Sequence, residues 1–244
     1  MSSSSLPLLS LDRLSCRFGG LQALDRVSFA VHPGEIFGLI GPNGAGKTTL
    51  FNLISGVTPI SSGDVCWQGQ TISALPPDRL NRLGLARTFQ NLRLFDRLTV
   101  LENLLVAQAS QRRSQPEALA TAWGLLEELA LSGLAERDAG TLAYGDRRRL
   151  EIARALATRP TLLLLDEPAA GLNPSEKERL GQLIAELRQR HQLTVMIIEH
   201  HVPLLMGLCD RLAVLDFGAL IALGTPEQVR TDPRVIAAYL GGGQ

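Results

Sequence analysis

The segment Gly41-Pro42-Asn43-Gly44-Ala45-Gly46-Lys47-Thr48 constrains this chain more than any other feature. It follows the compact apolar run EIFGLIG (35–41) and opens into KTTLFNLISG, a short helical pattern that Gly56 closes. A buried strand, a glycine-rich loop and a helix, in that order, form a phosphate cradle. The glycines let successive N–H groups turn inward toward phosphate oxygens, and the helix presents its positive end to the same anion. Lys47 supplies a mobile cation for β and γ phosphates; Thr48, with Thr49 beside it, supplies a hydroxyl for Mg²⁺. Such a loop needs a parallel sheet behind it, so the expectation is an α/β fold.

The rest of the chain agrees with that class. LLSLDRLSCRF (8–18) and LDRVSFAVHPG (24–34) read as strands closed by turn signals, with Val27, Phe29 and Val31 on one side. TLLLLDEP (161–168) and LTVMIIEH (193–200) read as buried parallel strands, with the helix SEKERLGQLIAELRQRH between them. RLAVLDFGALIALG reads as two strands about a turn at Asp216–Gly218, and the tail as two short helices. The middle is helical: Leu119, Ala122, Trp123, Leu126, Leu129 and Ala130 form an apolar stripe, which places Trp123 in a core. RRRLEIARALATRP (147–160) is a second helix there. The serines at 2–5 read as disordered.

Lys and Arg number 24 and Asp and Glu number 24, a balance that argues against binding nucleic acid through general basicity. No window of 18 uncharged apolar residues exists, so no membrane-spanning helix is expected. The first ten residues lack the pattern of a secretory signal. Cys16, Cys66 and Cys209 are widely spaced, which suits reduced, buried thiols rather than a disulfide framework or a zinc site.

Two further groups carry chemistry. Asp166-Glu167 ends an apolar strand beside the phosphate loop. One carboxylate there can hold Mg²⁺ through its water shell, and the next can accept a proton from an attacking water. His200 ends another strand; a lone histidine there is usually structural, while within a nucleotide site it could donate to a γ-phosphate.

Together these elements resemble the nucleotide-binding subunit of an ATP-binding cassette (ABC) transporter, over roughly residues 8–240. The resemblance aligns Leu142-Ala143-Tyr144-Gly145-Asp146 with the LSGGQ signature, Gln90 with the Q-loop glutamine and Ala170-Gly171-Leu172-Asn173 with the D-loop. It makes His200 the switch histidine and Phe18 the aromatic residue stacked on adenine. Ala143 replaces the signature Ser, Tyr144 its first Gly, Asp146 its Gln, and Asn173 the D-loop Asp. Gly145 and the helix N-terminus after it retain a main-chain anion site.

AYG-x-RRRLEIARAL, DEPAAGLNP, ARTFQNLRLF and the tail GTPEQVRTDPRVIAAYLG are similar to the LivG type, the ATPases of branched-chain and neutral amino acid importers. The ATPases of lipopolysaccharide export and of urea and amide importers share part of this pattern. The resemblance implies one P-loop cassette, residues 1–244, with an antiparallel β layer and a helical subdomain at about 91–158. It implies MgATP hydrolysis with Glu167 polarising the water, His200 and Gln90 assisting, and Thr48, Gln90 and Asp166 around the metal. The implied partners are transmembrane permease subunits, a second cassette (this chain or a paralogue) and, indirectly, a periplasmic solute-binding protein. The implied place is peripheral, on the cytoplasmic face of the inner membrane. A cassette of DNA repair or translation would bring a second cassette or a long coiled-coil insertion; a P-loop kinase would bring an acceptor site.

Overall fold

The computed structural model describes residues 6–109, 111 and 113–240; the serine run at 2–5 lies outside them. In chain order, β1 (Leu9–Phe18), β2 (Leu21–Val31) and β3 (Ile36–Ile40) lead into α1 (Lys47–Ile54). Then come β4 (Ser62–Trp67), β5 (Gln70–Thr71), α2 (Pro77–Arg82) and β6 (Leu85–Arg87). Three helices follow, α3 (Val100–Ala107), α4 (Gln115–Glu128) and α5 (Tyr144–Ala157). The chain continues through β7 (Leu162–Asp166), α6 (Pro174–His191), β8 (Thr194–Ile198) and α7 (Val202–Leu208). It closes with β9 (Arg211–Asp216), β10 (Ala219–Gly224), α8 (Pro226–Thr231) and α9 (Pro233–Leu240).

The strands form two sheets. One is antiparallel, in the order β2-β1-β4-β5; the other runs β10-β9-β3-β8-β7-β6, parallel except for β10. β3, β7 and β8 are buried along their whole length, which is why they read as continuous apolar runs rather than alternating ones. Their side chains still alternate between two cores. Ile36, Leu163, Leu165, Val195 and Ile197 face the core shared with α3 to α6. Phe37, Leu39, Leu162, Leu164, Met196 and Ile198 face the core shared with α1 and the antiparallel sheet. Each such side chain contributes about 1.5–3 kcal/mol on burial, so the central sheet is the rigid element on which the loops are mounted.

Three expectations change. Trp123 is 43% exposed, because α4 buries Ala122, Leu125 and Leu126, with Leu129 just beyond its end. At 3.6 residues per turn Trp123 stands about 100° from Ala122, at the edge of that face and in solvent. Cys66 is only partly buried, near Thr71 on the short outer strand, whereas Cys16 and Cys209 are buried as expected. The strand expected over 193–200 stops at Ile198, which leaves Glu199 and His200 in the loop beyond the sheet. The sequence reading had no counterpart for β4, β5, α2 or the three-residue β6, and β6 closes the edge of the large sheet.

Candidate nucleotide site

The carboxyl ends of adjacent parallel strands bring the singled-out residues together, where ligands bind in open α/β sheets. The glycine-rich loop leaves β3, Asp166 ends β7, and His200 follows β8. A cleft of about 430 Å³ lies over them, lined by Phe18, Asn43 to Thr49, Glu167, His200 and Phe217 among others.

The loop holds a strained path. Gly46 has φ 100° as the N-cap of α1, and a Cβ there would meet Leu24 and the Ala23 carbonyl. Gly41 has φ 151°, and a Cβ there would run into the Leu215 carbonyl. Only glycine fits at either point. Among the described residues, the amides of Gly44, Gly46, Lys47 and Thr48 find no acceptor, so they are free for an anion. The Lys47 ammonium is buried and donates to the carbonyls of Gly41 (2.7 Å) and Pro42 (2.8 Å). Burial pushes its pKa below the usual lysine value, while the Glu167 and Asp166 carboxylates pull it back up.

The acid pair splits into two environments. Asp166 is buried; its Oδ2 accepts from Arg87 at 2.8 Å, and its Oδ1 has no hydrogen-bond partner. Burial raises its pKa above the usual carboxylate value, and Arg87 opposes that rise. Arg87 also donates to Asn52 Oδ1 (2.7 Å) and Ser55 Oγ (2.8 Å), and its guanidinium lies 4.8 Å from the Phe89 ring centroid. Glu167 leaves the strand with φ 49° and turns into the cleft. There Gln90 Nε2 donates to its Oε2 at 2.8 Å, and His200 Nε2 lies 2.8 Å from its Oε1. Gln90, expected both to assist catalysis and to stand near the metal, thus meets the second carboxylate through its amide nitrogen.

Ala143, Tyr144, Gly145 and Asp146 do not reach this cleft. They form the start of α5 on another face, with Ala143 as N-cap and Asp146 paired to Arg149. Ala143 carries no capping side chain, and a Cβ on Gly145 would meet nothing, so this helix end is open to a ligand from outside the chain. Phe18, 50% exposed at the end of β1, lines the cleft mouth, and so does Phe217, 90% exposed, whose neighbour Gly218 donates to the Ala45 carbonyl. Sequence reasoning missed Phe217, Arg87 and Arg148; Phe217 alone left a signal, an aromatic residue inside a turn.

Among the described residues no three or more His, Cys, Asp and Glu side chains are grouped so as to hold a metal ion by themselves, and none of the described helices is long and apolar enough to cross a membrane. A cation here would need phosphate oxygens as ligands beside Thr48 and the free Asp166 Oδ1, and those residues fit that role.

A phosphate loop on a mostly parallel sheet, an acid pair at the end of the strand next but one in that sheet and an added antiparallel sheet define an ATP-binding cassette. The family model described as ABC transporter matches residues 24–170, and one described as branched-chain amino acid ATP-binding cassette transporter matches residues 219–244. The chain belongs to the ABC transporter family, as one of its nucleotide-binding ATPase cassettes. It is 50% identical to the high-affinity branched-chain amino acid transport ATP-binding protein LivG of Escherichia coli K12, covering 97% of this chain and 99% of that protein. The lipopolysaccharide export system ATP-binding protein LptB of Haemophilus influenzae is 37% identical over 97% of this chain and 98% of its own. The ADP conformation of an ATP-binding cassette from an ABC transporter superposes with a TM-score of 0.87 at 33% identity, covering 97% of this chain and all of that one.

Proposed function

We propose that this cassette hydrolyses MgATP to drive an importer of branched-chain and neutral amino acids through separate permease subunits. The observation that carries the chemistry is the Glu167 carboxylate, held between Gln90 and His200 at the mouth of the phosphate-loop cleft. A carboxylate fixed by two donors faces the incoming water in one orientation, and proton acceptance by such a group accelerates attack. Lys47 exchanges its two carbonyl partners for phosphate oxygens, and the loop amides bind the same phosphates. Phe18 stacks on the base. Thr48 and Asp166, with Gln90, would hold Mg²⁺, which neutralises charge on the β- and γ-phosphates.

One cassette, residues 1–244 with a helical arm at about 91–158, would then face a second, either another copy or a paralogue. The open N-terminus of α5, with Ala143 to Asp146, would bind the nucleotide held by that partner. The whole would sit on the cytoplasmic face of the inner membrane, fed by a solute-binding protein through the permeases. Amino acid import is favoured over lipopolysaccharide export by 50% against 37% identity and by the match at residues 219–244.

The test is Glu167→Gln. Purified variant chain should retain ATP in filter binding and lose at least about 100-fold in turnover, the scale of a missing general base. Cells whose only copy carries Glu167→Gln should fail to take up labelled leucine. Turnover near the wild-type rate would remove Glu167 from the base role, and normal leucine uptake with hydrolysis abolished would remove the amino acid assignment.

A further inference from the structure

Tyr144 stands where the ABC signature has glycine, and the structure gives that departure a purpose. Its hydroxyl accepts a hydrogen bond from the Arg148 guanidinium at 2.9 Å, one turn along α5. Its ring lies against the main chain at Gly171, where a Cβ would come 3.3 Å from it. Arg148 is 2% exposed and tied to Glu151 at 3.0 Å. It also donates to the carbonyls of Phe89 (3.2 Å) and Gln90 (3.3 Å), while Glu151 accepts from the Phe89 amide at 3.1 Å. The main chain of Phe89-Gln90 is therefore clamped from the start of α5 on both its donor and acceptor sides. The Gln90 side chain then reaches Glu167.

We propose that Tyr144 and Arg148 are positioning residues that set the Glu167 carboxylate through Gln90, so that the signature segment registers the base of its own subunit. The proposal rests on the reading of Glu167 as base. A glycine at 144 has no hydroxyl for this bond. Arg148 suits the task because its planar fork serves a hydroxyl, a carboxylate and two carbonyls at once, which a lysine ammonium cannot do. A shift of about 1 Å in a group this close to the reacting atoms is enough to slow chemistry without touching substrate affinity.

The experiment uses full-length chain. Tyr144→Phe removes the hydroxyl and keeps the ring on Gly171. Arg148→Lys keeps a cation opposite buried Glu151, so the variant retains that pairing. The expected result for Tyr144→Phe is a kcat lowered ~3- to 10-fold, the scale of one hydrogen bond, with the ATP Kd unchanged and the melting temperature lowered by no more than about 6 °C. The double variant Tyr144→Phe/Arg148→Lys should be no slower than Arg148→Lys alone, since both break one strut. Wild-type kcat in Tyr144→Phe, a parallel loss of ATP affinity, a fall in melting beyond about 6 °C, or losses that multiply in the double variant would each overturn the proposal. Glu167→Gln measured alongside separates the two failures. If that variant is slow and Tyr144→Phe is not, the strut fails and the base stands; if Glu167→Gln is fast, the base reading itself fails.

Discussion

Replacing Arg87 by leucine tests how the site is held together. The substitution keeps an apolar side chain between Phe51 and Phe89 and removes the cation from Asp166 Oδ2, Asn52 and Ser55. Both partners of the ion pair are almost fully buried, at 5% and 1% side-chain exposure, so solvent cannot replace the lost charge. Breaking such a pair by removing one member costs about 3–5 kcal/mol. At ~2–4 °C per kcal/mol for a chain of this size, melting should fall by about 6–20 °C. The sign of the pH dependence follows from Asp166. Burial already raises its folded pKa, and without Arg87 nothing nearby opposes that rise as strongly. A carboxyl raised in the folded state stabilises where it is protonated and loses that contribution as pH rises through its folded pKa. The deficit of Arg87→Leu should be full at neutral pH and shrink as the pH falls toward the carboxylate range. Differential scanning calorimetry at several pH values reads both effects, and the double variant Arg87→Leu/Asp166→Asn should regain most of the loss. Melting of the single variant within about 1 °C of wild type, or no recovery in the double, would refute the reasoning.

Other expectations bear on binding and coupling. Lys47→Ala should weaken ATP binding about 10- to 150-fold by calorimetry, the range for a hydrogen bond to a charged group; an unchanged Kd would take Lys47 out of the site. Phe95 is 45% exposed beneath the Arg154 guanidinium, while neighbouring Leu94 packs against the core, so Phe95 is the member of this apolar pair left open to a permease subunit. Phe95→Ala should leave melting of the free chain unchanged and reduce co-purification with permease subunits, and a lower melting point with normal assembly would make Phe95 a packing residue.

How much of this was legible follows from which contacts are local. The phosphate loop, its strand and its helix are adjacent in sequence, and their glycines, lysine and threonine have few other uses together, so Gly41 to Thr48 announced both fold class and ligand. The acid pair could be read because four successive leucines lead into it, the fifth residue of that strand being Asp166. The α4 face was misjudged at Trp123 because a stripe of small and large apolar residues fixes a helix face only to within one residue, and packing against α3 and α5 chose its centre. What no local pattern held was the pairing across distance. Arg87 and Asp166 are 79 residues apart, Gln90 and Glu167 77, and His200 and Glu167 33. Arg148 meets the carbonyls at 89 and 90 only because α5 packs beside that loop. The sequence alone determined which chemical groups exist and which strands lead into the phosphate loop and the acid pair. Tertiary structure decided their partners, because strand order and helix packing bring distant side chains within hydrogen-bond range, and those distances are set by the whole core rather than by any segment of it.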